Sequence, residues 1–178
     1  MSHSHLNVQP ETMTSFDPAS FLMVPPKCFE DLKVGDIVRA PSRTLTDAHA
    51  SAFQTVSGDN HPVHYDAVWA AGHGHSAPVV HGLQVLAFTA PGATLFPHYI
   101  GEVFIAFTEL SCRFLRDVHA GDTFYSALEI ISLSSEGVNG LVTTKVTVFN
   151  QRKELVLSGE HKYLLKMVPD KSLDPTKA

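Results

Sequence analysis

Two segments in the C-terminal half of the chain alternate apolar and polar residues with a period of two. In "VTTKVTVFN" the positions from Val142 to Val148 follow this pattern, and "LVLSGEHKYLLKM" from Leu155 onward repeats it. A period of two is typical of antiparallel strands that bury one face and expose the other. With turn residues in "HAGD", "SSEGVNG" and "NQRKE" between them, the segments predict about four long antiparallel strands.

One of these strands has a different pattern. "EVFIAFTELSCRFL" begins with apolar residues on both phases, namely Val103, Phe104, Ile105 and Phe107. A strand that is apolar on both faces needs cover on both faces. Because a single sheet layer also leaves an edge open, this segment predicts contact with a second subunit, in a homodimer or a higher homo-oligomer.

The helix signals lie in the N-terminal half. "LTDAHASAFQTVSG" predicts a helix with Thr46 as its N-cap and Gly58 at its end, and Asp66 suits the cap of a second short helix, "AVWAAG". "VHGLQVLAFTAPGATLF" is apolar on nearly all sides, which predicts a buried helix that Pro91 kinks or ends. The expected fold is α+β, with an antiparallel sheet wrapped around one central buried helix.

Composition narrows the functional classes. The net charge is −5, and the 13 Lys and Arg residues form no run, which argues against nucleic acid or an anionic membrane as a partner. No apolar run approaches the roughly 20 residues of a spanning helix, and the N-terminus has no signal-peptide pattern. With only Cys28 and Cys112 as cysteines, we expect a cytoplasmic protein.

The chain divides into three parts by composition. Residues 1–28 are rich in Pro, Ser and Thr and predict an N-terminal arm, residues 29–168 predict one domain, and residues 169–178 predict a polar tail.

The stretch "SGDNHPVHYD" concentrates ionisable side chains around one proline. Gly58 allows a turn and Pro62 stiffens the loop, so Asp59 and His64 can be directed at one water molecule, as general acid/base catalysis requires. A metal site is a second hypothesis, and an ordinary polar turn is a third. The residues for the metal site would be Asp59, His61, His64 and Asp66, with His73 or His75.

A longer segment resembles a known family. "LTDAHASAFQTVSGDNHPVHYDAVWA", followed by "VVHGLQVLAF", is similar to the (R)-specific enoyl-CoA hydratases, or MaoC-like dehydratases, which have the hot-dog fold. Their signature is a small residue, Gly, Asp, any residue, Asn, Pro, an aliphatic residue and His. Here Asn60 stands one place early, and His61 precedes Pro62.

The resemblance implies a function and a set of site residues. Asp59 and His64 would activate a water that adds to a trans-2-enoyl thioester of CoA or acyl carrier protein, and the Gly82 N–H would donate to the thioester oxygen. The reaction is reversible and yields an (R)-3-hydroxyacyl thioester, and the resemblance implies neither a metal nor another cofactor. The supporting residues would be Gly58, Asn60, Pro62 and His81.

Two other functions remain open on the sequence. A thioesterase with the same fold would direct the water at the carbonyl carbon, and a non-catalytic binder of acyl thioesters would need neither Asp59 nor His64. His81 is expected to hydrogen-bond the loop backbone, and His161 is expected to be a satisfied core histidine.

Overall fold

The structure, a computed structural model, describes residues 21–167, so most of the predicted N-terminal arm and the C-terminal tail lie outside the described residues. Four long strands follow two short ones: β1 (Ile37–Arg39), β2 (Arg43–Thr44), β3 (Phe104–Phe114), β4 (Thr123–Glu136), β5 (Asn139–Asn150) and β6 (Leu155–Lys166). They form one antiparallel sheet in the order β1-β4-β5-β6-β3, with β2 also paired to β4. The four predicted long strands are therefore confirmed.

The helices also begin and end close to the predicted residues. They are α1 (Asp47–Ser57), α2 (Ala67–Gly72), α3 (Gly82–Ala87) and α4 (Phe96–Ile100). Thr46 is the N-cap of α1, and Gly58 ends that helix in the left-handed conformation with a φ of 67°. Among the described helices, none has the length and apolar character to span a membrane.

The core lies between the sheet and the segment from α3 to α4. Alternate residues of β5, from Val142 to Val148, are buried, which confirms the predicted period of two. Val85 of α3 and Phe96 and Ile100 of α4 belong to the same buried apolar cluster. The fold is thus α+β with helical residues packed on one face of an antiparallel sheet, as predicted.

The predicted central helix is shorter and less buried than its sequence suggests. α3 spans only Gly82–Ala87, a 3-10 turn follows at Pro91–Ala93, and α4 is a separate helix. Leu83 is 64% exposed, although its neighbours Gln84 and Val85 are buried. α3 ends before Pro91 because proline has no backbone N–H to donate to the preceding turn. Within the described residues, one side of α3 is left without cover.

β3 forms a long edge of the sheet. Among the described strands it pairs only with β6, and Phe104, Ile105 and Phe107 on its two phases are 40–44% exposed. Residues 21–167 therefore do not supply the cover on both faces that the apolar pattern predicts. The opposite edge is formed by the three-residue strand β1 and the two-residue strand β2.

His161 is buried in the sheet, as predicted, but only one of its ring nitrogens has a partner. Nδ1 lies 2.9 Å from the Tyr163 hydroxyl, whereas Nε2 has no hydrogen bond to any described residue. Burial disfavours the imidazolium and lowers the pKa of His161 from 6.5 to about 4. The expectation of a fully satisfied core histidine is therefore wrong for Nε2.

We predict that His161 makes the fold sensitive to acid. Its folded-state pKa is depressed, so unfolding becomes easier as the pH falls from 6.5 through about 4, by roughly 3 kcal/mol over that interval. The variant His161→Gln cannot titrate but can still hydrogen-bond Tyr163. Urea unfolding of parent and variant between pH 7 and pH 4 should show a steeper loss of stability in the parent, and parallel losses would contradict this.

The cap of α2 gives a second prediction. Asp66 Oδ1 accepts hydrogen bonds from the N–H groups of Val68 and Trp69, both at 2.9 Å. Asp66→Ala should lower the free energy of unfolding by about 1 kcal/mol, whereas Asp66→Ser, which can still cap the helix, should lose less. Chemical denaturation checks both variants, and an equal loss in the two would show that the cap is not the cause.

Candidate active site

The predicted catalytic loop begins at the end of α1 and is fixed to that helix. The Gln54 side-chain N–H donates to the Asn60 Oδ1 at 2.5 Å, and Asn60 Nδ2 donates to the Gly58 carbonyl at 3.2 Å. Asn60 therefore supports the loop although it stands one place before the position that the hydratase signature assigns to Asn. Its carboxamide links the turn after α1 to the helix itself.

His61 supports the same loop in another way. Its backbone N–H donates to Asp59 Oδ1 at 3.1 Å, and its Nδ1 accepts from the Val63 N–H at 3.3 Å. The ring packs edge-to-face on Trp69, with centroids 5.2 Å apart. His61 therefore caps the 3-10 turn Pro62–His64, and its backbone orients the Asp59 carboxylate.

His64 is held in one orientation by the segment before α3. Its Nδ1 lies 2.6 Å from the Val79 carbonyl oxygen, and the Val79 N–H donates to the Val63 carbonyl at 2.9 Å. A carbonyl oxygen only accepts, so Nδ1 carries the proton in this contact. In the neutral ring, Nε2 is then left with a free lone pair.

That lone pair lies near the Asp59 carboxylate. His64 Nε2 and Asp59 Oδ2 are 3.9 Å apart, which is too long for a direct hydrogen bond and short enough for one water to bridge them. The Asp59 side chain is 48% exposed, whereas the His64 side chain is 16% exposed. The structure thus brings together the two residues that the sequence analysis paired.

His81 contacts both of these residues. Its ring stacks on the His64 ring with centroids 3.7 Å apart, its Nε2 lies 3.6 Å from Asp59 Oδ2, and its side chain is almost completely buried. The Tyr65 hydroxyl lies 3.1 Å from the same Nε2. His81 also contacts the backbone of the loop at Asp59, as predicted, and in addition it contacts the side chains of the site.

The electrostatics favour an ionised Asp59 carboxylate beside a neutral His81. The hydrogen bond from the His61 N–H lowers the pKa of Asp59 against the opposing effect of burial, and the nearby histidines lower it further. Burial, followed by the proximity of His64, lowers the pKa of His81, although Asp59 opposes that change. Burial, and then the Asp59 charge, raise the pKa of the Tyr65 hydroxyl.

Gly82 lies at the start of α3, directly after His81. As the first residue of the helix, its N–H has no acceptor within the helix. A side chain could not be added without crowding, because a Cβ at this position would lie 3.0–3.1 Å from the Phe114 ring. The absence of a side chain therefore lets the Phe114 ring pack against the start of α3.

The other ionisable residues of the motif region do not join this group. Asp66 caps α2, His73 stacks on Trp69 at 3.6 Å, and His75 pairs with Asp117 at 2.9 Å. The metal ligand set that the sequence left open is therefore not assembled in that form. A different set, Asp59, His64 and His81, places one ligand atom from each residue within 4.8 Å of one another.

Tyr65 and Phe53 are site residues that the sequence analysis missed. Phe53 of α1 lies with its ring centroid 5.0 Å from that of His81, and Tyr65 contacts His81 as described above. The position of Tyr65 directly after His64 was a possible signal. Phe53 had none, because an apolar residue on a helix predicts only packing.

Comparisons with known proteins agree with the predicted family and fold. The chain is 29% identical over 131 residues to a mitochondrial 3-hydroxyacyl-[acyl-carrier-protein] dehydratase of Arabidopsis thaliana, covering 71% of this chain and 72% of that protein. It is 27% identical over 135 residues to an (R)-specific enoyl-CoA hydratase of Aeromonas caviae, covering 74% and 93%.

Solved structures match the fold. A monoamine oxidase regulatory protein from Archaeoglobus, 29% identical, superposes with a TM-score of 0.77 over 83% of this chain and 99% of its own. A Mycobacterium tuberculosis protein described as a double hot-dog fold, 25% identical, superposes with a TM-score of 0.66 over 82% of this chain and 46% of its own. The sheet and its packed helix are therefore a hot-dog fold.

The family model of the MaoC like domain matches residues 31–151, which include α1, the Asp59–His64 loop and Gly82. The chain therefore belongs to the MaoC-like domain family, whose relatives include hydratases and dehydratases.

Proposed function

We propose that the protein hydrates trans-2-enoyl thioesters to (R)-3-hydroxyacyl thioesters, and catalyses the reverse dehydration, with Asp59 and His64 as the catalytic pair. The observation that supports this most is the 3.9 Å separation of Asp59 Oδ2 and His64 Nε2. Both atoms are hydrogen-bond acceptors in the states described above. A water between them donates both of its hydrogens and directs an oxygen lone pair away from the pair, toward the substrate.

The reaction then needs one proton carrier and one site for negative charge. The water oxygen bonds to C3 of the enoyl group, its proton passes to the pair, and the same proton is delivered to C2. The lowered pKa of Asp59 makes the carboxylate a weak base, which favours His64 Nε2 as the proton carrier and Asp59 as the group that holds the water.

Gly82 supplies the site for the developing charge. When C3 accepts the oxygen, negative charge moves to the thioester oxygen, and the free N–H at the start of α3 can donate to it. The stacked, buried and uncharged His81 keeps His64 in place without adding a competing charge. CoA and acyl carrier protein both present such a thioester, and the proposal includes both as carriers.

A single assay tests the catalytic pair. With crotonyl-CoA, we expect loss of the enoyl absorbance without release of free thiol, and Asp59→Asn and His64→Asn should each reduce kcat by about 100-fold or more. Asp117→Asn, in an exposed ion pair with His75, is the matched control and should keep parental activity.

Three results would reject the mechanism. Thiol release at the rate of substrate loss would indicate a thioesterase, the main alternative on this fold. Loss of activity after EDTA, with recovery upon adding a divalent metal, would assign Asp59, His64 and His81 to a metal site instead. Full activity of Asp59→Asn would leave only a non-catalytic role for the pair.

We further propose that the protein acts as a homodimer in which a second copy covers β3. The edge is eleven residues long, and its apolar side chains are exposed on both phases. An unpaired apolar edge of that length favours association.

Light scattering on a sizing column tests the dimer. The parent should elute as a dimer. The variant Ile105→Lys places a charge on the exposed edge and should elute as a monomer. Val34→Lys is the control, because Val34 is 63% exposed just before β1, at the opposite edge of the sheet. A parent that is monomeric, or an Ile105→Lys dimer as stable as the parent's, would reject the proposal.

A further inference from the structure

A cavity of about 560 Å³ lies between α1, α3 and β4. Its wall is largely apolar, with Phe53, Phe88 and Phe124 among the lining residues. The cavity adjoins the catalytic group, because Phe53 contacts the His81 ring and Gln84 of its wall lies two residues after Gly82. Under the proposed function, this is the space next to the site that can receive the acyl chain.

Gln84 is an unusual residue for the wall of such a cavity. It is only 4% exposed, and its Oε1 is fully buried with no hydrogen bond to any described residue. Leaving a buried acceptor unpaired costs stability, and a leucine of similar size would avoid that cost. Its neighbour Val85 belongs to the apolar core, and the Gln84 Oε1 forms no hydrogen bond within the described residues that would serve the fold.

We propose that the acyl group bound in this cavity carries a hydroxyl, and that the Gln84 amide recognises it. The inference rests on the proposed function, since it names the substrate class of the same site. The last torsion of a glutamine side chain is broad, so a small rotation turns the amide toward the cavity. A hydroxyl both donates and accepts, and it therefore satisfies either end of the amide.

A charged substituent fits the cavity less well. Arg43 is the one permanently charged residue among the described lining residues, and it lies on the exposed strand β2 with its guanidinium 5.7 Å from the Phe88 ring centroid. A neutral amide cannot balance the charge of a buried carboxylate. The buried, neutral Gln84 thus favours a neutral polar group over an anionic one.

The test compares matched pairs of trans-2-enoyl-CoA substrates of equal chain length. One member has a plain alkyl tail and the other carries a single hydroxyl, placed in turn at each carbon from C5 to C8. For the preferred position, the parent should hydrate the hydroxylated substrate with a kcat/KM about tenfold higher than the plain one. Gln84→Leu should reverse this preference by losing activity on the hydroxylated substrate and gaining it on the plain one.

Ser126→Ala is the matched control within the same cavity, because Ser126 is another polar side chain of its described lining that a hydroxyl could contact. It should keep the parental preference. Loss of the preference in Ser126→Ala but not in Gln84→Leu would overturn the assignment to Gln84.

Thermal unfolding separates recognition from a structural role. Without substrate, Gln84→Leu should raise the Tm by a few degrees, because it removes an unsatisfied buried acceptor. A lower Tm would show that the amide serves the fold, and would overturn the inference.

The experiment distinguishes a failure of this inference from a failure of the proposed function. If the parent hydrates plain substrates as fast as every hydroxylated one, or prefers a tail that ends in a carboxylate, the hydroxyl is rejected and the hydratase assignment stands. If no enoyl-CoA of either kind is hydrated, both are rejected.

Discussion

Two hydrogen bonds between residues 63–64 and Val79 fix the geometry on which the candidate site depends. The Val79 N–H donates to the Val63 carbonyl at 2.9 Å, and His64 Nδ1 donates to the Val79 carbonyl at 2.6 Å. The first joins the catalytic loop to the segment that leads into α3. The second sets the tautomer of His64, so that Nε2 is available as an acceptor beside Asp59. Because His81 and Gly82 follow Val79 by two and three residues, the same contact also places them.

The loop is held at both ends by helix termini. Gly58 ends α1 in the left-handed conformation, and Asp66 caps α2 through two backbone N–H groups. Between them, the Gln54–Asn60 bond and the His61 cap restrict the remaining residues. The proposed catalytic pair, with its 3.9 Å gap for water, needs this rigidity, since both groups must reach the same water before the substrate arrives.

Local signals in the sequence predicted much of the fold and of the candidate site. The caps of α1 and α2 and the period of two in β5 depend on neighbouring residues, and the structure confirms them. The hot-dog fold followed from the resemblance, and the match of the MaoC like domain to residues 31–151 confirms the family. The pairing of Asp59 with His64 also came from their spacing in one short loop.

Other features depend on contacts between distant segments, which no local pattern encodes. The stacking of His81 on His64 joins residues 17 positions apart, and the sequence suggested only a backbone contact for His81. The apolar pattern of α3 predicted burial on all sides, yet Leu83 is exposed because a single chain covers only one side of that short helix. The lack of a hydrogen bond at His161 Nε2 and at Gln84 Oε1 likewise depends on which distant residues pack around each side chain.

The position at which water oxygen enters the substrate tests the account most directly. Crotonyl-CoA should be incubated with the protein in ¹⁸O-labelled water and the products resolved by mass spectrometry. If Asp59 and His64 direct water at C3, the label will appear in the 3-hydroxyl group of an intact hydroxybutyryl-CoA thioester. Label in the carboxylate of free crotonate would show that water attacks the carbonyl carbon, and would contradict the proposed hydratase mechanism.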